Sequence, residues 1–128
     1  MGYPPRNGRL PRVVGSPRAE LSLAELTRER GPQVIVLSGP CAISSVAAAR
    51  GRRGFVPNEL QVRVDQVANC PVYADAEQIR MCPHEVIVLD LGWRSGTGSG
   101  DRAFVTRPES HAERQQRVFS ARARGDGP

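Results

Sequence analysis

The sequence predicts an α+β fold: a small antiparallel sheet of three to four strands with a C-terminal helix, preceded by a poorly ordered N-terminal half. Three observations predict it. Residues 60–65 alternate Leu60, Val62 and Val64 with Gln61, Arg63 and Asp65, the pattern of a half-buried outer strand. A mixed run at residues 72–81 and a nearly unbroken apolar run at residues 86–91 then read as a middle strand and a buried one. Finally, Thr106-Arg107-Pro108-Glu109 has the form of a capping box with proline in the first helical turn, which starts a helix running to about residue 123.

Taken in order, the chain divides into four parts. Residues 1–20 contain Pro4, Pro5, Pro11 and Pro17 among Gly and Arg, which leaves little to bury and predicts a disordered arm. Residues 21–56 hold a short helix, with Ser22 as N-cap and Glu25 three residues on, stopped by Gly31-Pro32. A short β-branched strand over residues 34–37 follows, then a turn at Ser38-Gly39-Pro40 and a helix over residues 43–50. This part is expected to be loosely docked or a linker, ending at the basic stretch Arg50-Gly51-Arg52-Arg53-Gly54. Residues 57–123 form the expected core domain, in which Ser95 to Gly100 make a long hairpin loop to a strand over residues 102–106, and residues 124–128 fray.

Composition sets the bounds. The length suits one domain with tails, and a hydrophobic share of 39% with 13 Gly and 11 Pro confines the core to about half the chain. All 18 basic residues are Arg, a pattern of genome bias before guanidinium chemistry. A net charge of +5 favours polyanions, yet only Arg50, Arg52 and Arg53 cluster, without aromatic residues interleaved. An odd count of 3 cysteines and an N-terminus without an apolar signal core point to the reducing cytoplasm, with no disulfide framework. No apolar run approaches the roughly 18 to 20 residues that span a bilayer, so no membrane partner is expected.

The pattern Val62-x-Val64-Asp65, then Tyr73-Ala74-Asp75, Ile79, Pro83, Glu85 and the apolar run ending Leu89-Asp90 resembles a small bacterial and archaeal family labelled a domain of unknown function. Its further strand and its helix opening Pro-Gln-His-Ala correspond to Pro108-Glu109-Ser110-His111-Ala112. The chain departs from that pattern at Asp75, where the family has Asn, and by one extra residue before Asp90 and another before His111. The resemblance spans about residues 60–120, implies antiparallel strands then a helix, and carries no known activity.

Chemistry-bearing motifs are weak. The stretch VIVLSGP looks like the opening of a guanylate-kinase-type phosphate loop, but the second glycine and the lysine are missing after Cys41. Cys70, Cys82, His84 and His111 are ligand types without the short paired spacings of a zinc site, and small buried cysteines are common in cores. Cys41 has no activating base nearby in sequence, and Asp90 lacks the acidic pair of a response-regulator receiver, so it reads as a strand-end residue meeting water or an arginine. Arg124-Gly125-Asp126 is an accidental match to an integrin ligand.

No catalytic residue, cofactor or metal is therefore assigned. The expected function is that of a non-enzymatic interaction or scaffold protein that self-associates or binds extended peptide at a sheet edge, through Leu60, Val62, Val64 and Trp93. The alternative is a basic nucleic-acid-binding accessory protein using Arg50, Arg52, Arg53, Arg114 and Arg117. A second alternative is a reading frame with little selected function.

Overall fold

A computed structural model of the protein describes residues 10–38, 46–82, 85–92 and 103–123. The elements in chain order are β1 (Arg12–Gly15), α1 (Pro17–Arg30), β2 (Gln33–Ser38), β3 (Val46–Gly51), β4 (Gln61–Val67), β5 (Cys70–Asp75), α2 (Ala76–Arg80), β6 (Val86–Leu91), β7 (Phe104–Pro108) and α3 (His111–Ala123). The arm before residue 10, Cys41, His84, Trp93, the Gly-rich stretch at 95–100 and Arg124 to Asp126 lie outside the described residues.

The strands form one seven-stranded mixed sheet in the order β1-β6-β7-β3-β2-β5-β4. This overturns the small antiparallel sheet of three to four strands expected from the sequence, although helices and strands do coexist. It also overturns the poorly ordered N-terminal half, because β2 and β3 occupy the middle of the sheet. The boundary expected at residue 57 falls between β3 and β4 of that same sheet. Two of the pairings, β1 with β6 and β2 with β5, are parallel.

Local chemistry explains the early elements. Ser16, not Ser22, caps α1: its Oγ accepts from the Ala19 amide, and Pro17 stands in the first turn, where a missing N–H costs nothing. Ser22 lies inside the helix with its buried Oγ lacking a hydrogen-bond partner among the described residues. Gly31, at φ 86°, ends the helix as expected. The last helix starts later than the sequence suggests. Ser110 and Glu113 form the reciprocal capping box, with the Glu113 amide donating to Ser110 Oγ at 3.1 Å and the Ser110 amide to Glu113 Oε1 at 2.9 Å. Thr106 and Pro108 belong instead to β7.

The largest departure is β3. Ala47-Ala48-Ala49 has good helical propensity, yet this segment pairs antiparallel with β2 along its length and with β7 at its start. Its inward Ala47 and Ala49 join the core, and Ala48 and Arg50 face the other side.

The core lies on one face of the curled sheet, where Ala19, Leu23 and Leu26 of α1 meet Val13, Ile35, Leu37, Val72, Ile87, Leu89 and Phe104. The sheet curls until its outermost strands meet, which leaves it nearly barrel-shaped. The Val13 amide donates to Asp65 Oδ2 at 2.8 Å, and a Cβ on Gly15 would stand 2.6 Å from Val67 Cγ1. A bulge drives the last part of this curl. Arg63 opposes Tyr73 and Asp65 opposes Val72, so Val64 is an extra residue on β4 that sharpens the twist and turns Asp65 toward β1.

Candidate functional site

Side chains alternate along β6. Ile87, Leu89 and Leu91 enter the core, which leaves Val86, Val88 and Asp90 on the opposite face. Asp90 is buried, and its carboxylate is fully engaged. Oδ1 accepts from Ser16 Oγ at 2.6 Å, from Arg18 Nε at 2.8 Å and from the Leu91 amide at 2.8 Å, while Oδ2 accepts from Arg107 Nε at 3.1 Å. The Arg18 hydrogen bond, helped by Ser16, Leu91 and Arg107, holds its carboxyl far below the usual carboxylate range. This carboxylate latches the N-terminus of α1 to β6 and β7.

Arg107 extends this latch to α3. Its Nη1 and Nη2 donate to Glu113 Oε1 and Oε2 at 2.6 and 2.8 Å, and that pairing brings the Glu113 carboxyl down to about 2. Arg117 pairs likewise with Glu109 at 2.9 Å. These bonds hold α3 by its charged side. Its other side presents His111, Ala112, Arg114, Gln115, Gln116, Val118 and Phe119 around a shallow concavity, with Phe119 70% exposed.

A second concavity follows from topology. Because β2 and β5 stand between β3 and β4, the connection over residues 52–60 must cross their outer face. Phe55 comes to rest on Tyr73, ring centroids 5.3 Å apart, and Tyr73 is the register neighbour of Val36 on β2. Beneath and beside this crossing lies a cleft of about 540 Å³, floored by Val36 and walled by Ser38, Arg50, Arg53, Phe55, Asn58 and Gln61. A neighbouring hollow shares Val36, Ser38, Asn58 and Gln61 and reaches Asp75, Glu77 and Arg80.

Of the residues singled out from the sequence, Leu60 is 61% exposed just before β4, Val62 packs partly on the core, and Val64 is buried. Beside β4, the Asp65 to Val67 portion of the edge is already occupied by β1, whereas Gln61 to Arg63 extends past the Val13 contact. Arg50, Arg52 and Arg53 are exposed at the β3 turn, Arg114 is exposed on α3, and Arg117 is engaged with Glu109. The two groups of arginines sit on different elements. Cys70 and Cys82 are buried in the core, His111 is exposed at the start of α3, and no metal-binding group of His, Cys, Asp and Glu occurs among the described residues. No helix among them is long and apolar enough to cross a membrane.

The family model of a domain of unknown function, DUF779, matches residues 22–106. The chain belongs to that family. The DUF779 span runs from within α1 into β7, so it takes in β2 and β3 as well as the motifs at Tyr73 and Asp90 that carried the resemblance. The whole cleft under residues 52–60 lies inside the DUF779 span, while β1 and α3 lie outside it. No curated protein and no solved structure matches the chain.

Sequence reasoning expected Asp90 to meet water or an arginine, but missed Ser16, Arg18 and Arg107 as its partners and Glu113 as the partner of Arg107. A usable signal was present for the first of them, since Ser16-Pro17 is an N-cap followed by a first-turn proline, but the surrounding prolines read as disorder.

Proposed function

We propose that the protein is a non-enzymatic interaction module that associates with a second copy of itself through α3. The observation that carries the reading is the division of that helix. Glu113 and Arg117 are spent on Arg107 and Glu109, and the opposite face exposes Ala112, Gln115, Gln116, Val118 and Phe119, with His111 and Arg114 lining the same concavity. Ala112, Val118 and Phe119 give this face exposed apolar contact area on which a second copy can pack, with Arg114 at its rim. An antiparallel pairing about a twofold axis sets each Phe119 against the other copy's apolar positions and lets Gln115 and Gln116 hydrogen-bond across the seam. Extended peptide at a sheet edge remains the related form of this reading, confined to the Gln61 to Arg63 portion of β4.

Sedimentation velocity on the full chain at several concentrations tests it. The expected result is a concentration-dependent dimer that Phe119→Glu abolishes while the monomer stays folded, because Phe119 is exposed. A monomer at every concentration that also leaves unfolded client peptide unbound overturns the reading. A monomer that binds extended peptide overturns the α3 interface and supports β4.

A further inference from the structure

We infer that the cleft beneath residues 52–60 is a binding site for a small organic oxyanion, a carboxylate or phosphate carried on a flat apolar body. This inference is independent of self-association through α3.

The fold leaves several hydrogen-bond donors unspent around this cleft. Asn58 and Gln61 both line the cleft, and their acceptor atoms are already used: Asn58 Oδ1 accepts from the Leu60 amide at 2.8 Å and Gln61 Oε1 from the Asn58 amide at 3.0 Å. What remains on each is an NH2 donor. Arg50 and Arg53 add guanidinium donors with no carboxylate partner among the described residues, and Ser38 adds a hydroxyl. No Asp or Glu lines this cleft. In the adjoining hollow, the acids have their own occupations, Asp75 accepting from the Glu77 amide at 2.9 Å and Glu77 pairing with Arg80 at 2.6 Å.

A wall that offers donors and no spare carboxylate selects an acceptor-rich anion, and planar guanidinium groups suit the paired oxygens of a carboxylate or phosphate. The remaining surface selects the rest of the molecule. Val36 forms the floor, and Phe55, Val56 and the nearby Tyr73 ring offer flat apolar contact. The volume of about 540 Å³ falls within the usual range for small-ligand sites. The donors are also well mounted. Arg50 lies within the β3 ladder opposite Val34, and the Arg52 amide is tied to the Pro32 carbonyl at 2.8 Å, which anchors the turn that carries Arg53.

The test is an amide-resolved NMR titration of the full chain with phenyl phosphate, benzoate, inorganic phosphate and uncharged benzamide. Saturable shifts at Gly51, Gly54, Asn58 and Gln61 with phenyl phosphate or benzoate support the site, and the tighter of the two identifies the head group. Binding should weaken about tenfold in each of Arg50→Gln and Arg53→Gln, both exposed and therefore expected to leave the thermal midpoint in place. Absence of saturable shifts, equal binding of benzamide, or binding unaffected by both substitutions overturns the inference. Equal binding of inorganic phosphate removes the apolar body from it. If an oligonucleotide binds at this turn with steep salt dependence while the aryl anions do not, the site belongs to nucleic acid and the inference fails.

Discussion

The backbone amide of Val13 and the carboxylate of Asp65, 2.8 Å apart, join the two outermost strands of the sheet. That bond satisfies a backbone amide on the edge of β1 that has no ladder partner in β4. Asp65→Ala leaves the Val13 amide without its acceptor in a buried setting and should cost about 2 kcal/mol. Chemical denaturation measures the loss, and hydrogen exchange should localise it to the Val13 amide. An unchanged midpoint would mean that the Val13–Asp65 bond contributes nothing.

Gly15 is required by the same seam. A methyl group there meets Val67 Cγ1 at 2.6 Å and Glu20 Cγ at 2.8 Å, closer than real side chains approach. Gly15→Ala should therefore destabilise by about 1 to 3 kcal/mol, since the strand is held and cannot move aside. Adding Val67→Ala should recover part of the loss, a positive coupling in a double-mutant cycle.

Acid should loosen the hold on α3. The Glu113 carboxyl falls from 4.5 to about 2 on folding because Arg107 and the Ser110 amide favour its charged form. A carboxyl with a depressed folded value stabilises the fold above its unfolded value and ceases to do so as pH falls through the folded one. Stability should thus decline between about pH 4.5 and about pH 2, with Asp90, also depressed, adding to the loss. Denaturation midpoints measured across that window should fall less steeply in Glu113→Gln, and a parallel slope would rule the pair out as a contributor.

The β4–β5 turn carries avoidable strain. Ala68 and Asn69 sit at φ 49° and 65°, the paired positive angles of the tight hairpin turn that matches strand twist. For alanine the left-handed region costs about 1 to 2 kcal/mol, and glycine's greater unfolded-state freedom costs about 0.5 to 1 kcal/mol. Relief wins. Ala68→Gly should raise stability by roughly 0.5 kcal/mol, and a drop in thermal midpoint would contradict the balance.

A fragment of residues 57–123 should not fold. It keeps the β4–β5 and β6–β7 pairs, but these are connected through β3 and β2 in the sheet and through β1 across the seam, and it lacks all three strands as well as α1. Circular dichroism should show a cooperative transition for the full chain and none for the fragment. Limited proteolysis of the full chain should protect β2, whose Val34 to Leu37 are all buried.

Local pattern by itself determined the pieces whose signals are complete within a few residues. The apolar runs of β2 and β6, the Gly31 stop and the alternation in β4 reflect periodicity and backbone freedom, which no distant residue needs to supply. The family resemblance was legible in the same way, from short motifs around Tyr73 and Asp90. Arg50 and Arg53 could be picked out as a basic pair, but not their setting. Only the tertiary structure made a strand of Ala47-Ala48-Ala49, because pairing with β2 along its length, and with β7 at Val46 and Ala47, outweighs a helical propensity of a few tenths of a kcal/mol per residue. The strand order likewise decided that residues 52–60 cross the sheet and enclose a cleft, and that Asp65 reaches Val13. Those contacts join residues far apart in sequence, and their energy exists only once the sheet has curled.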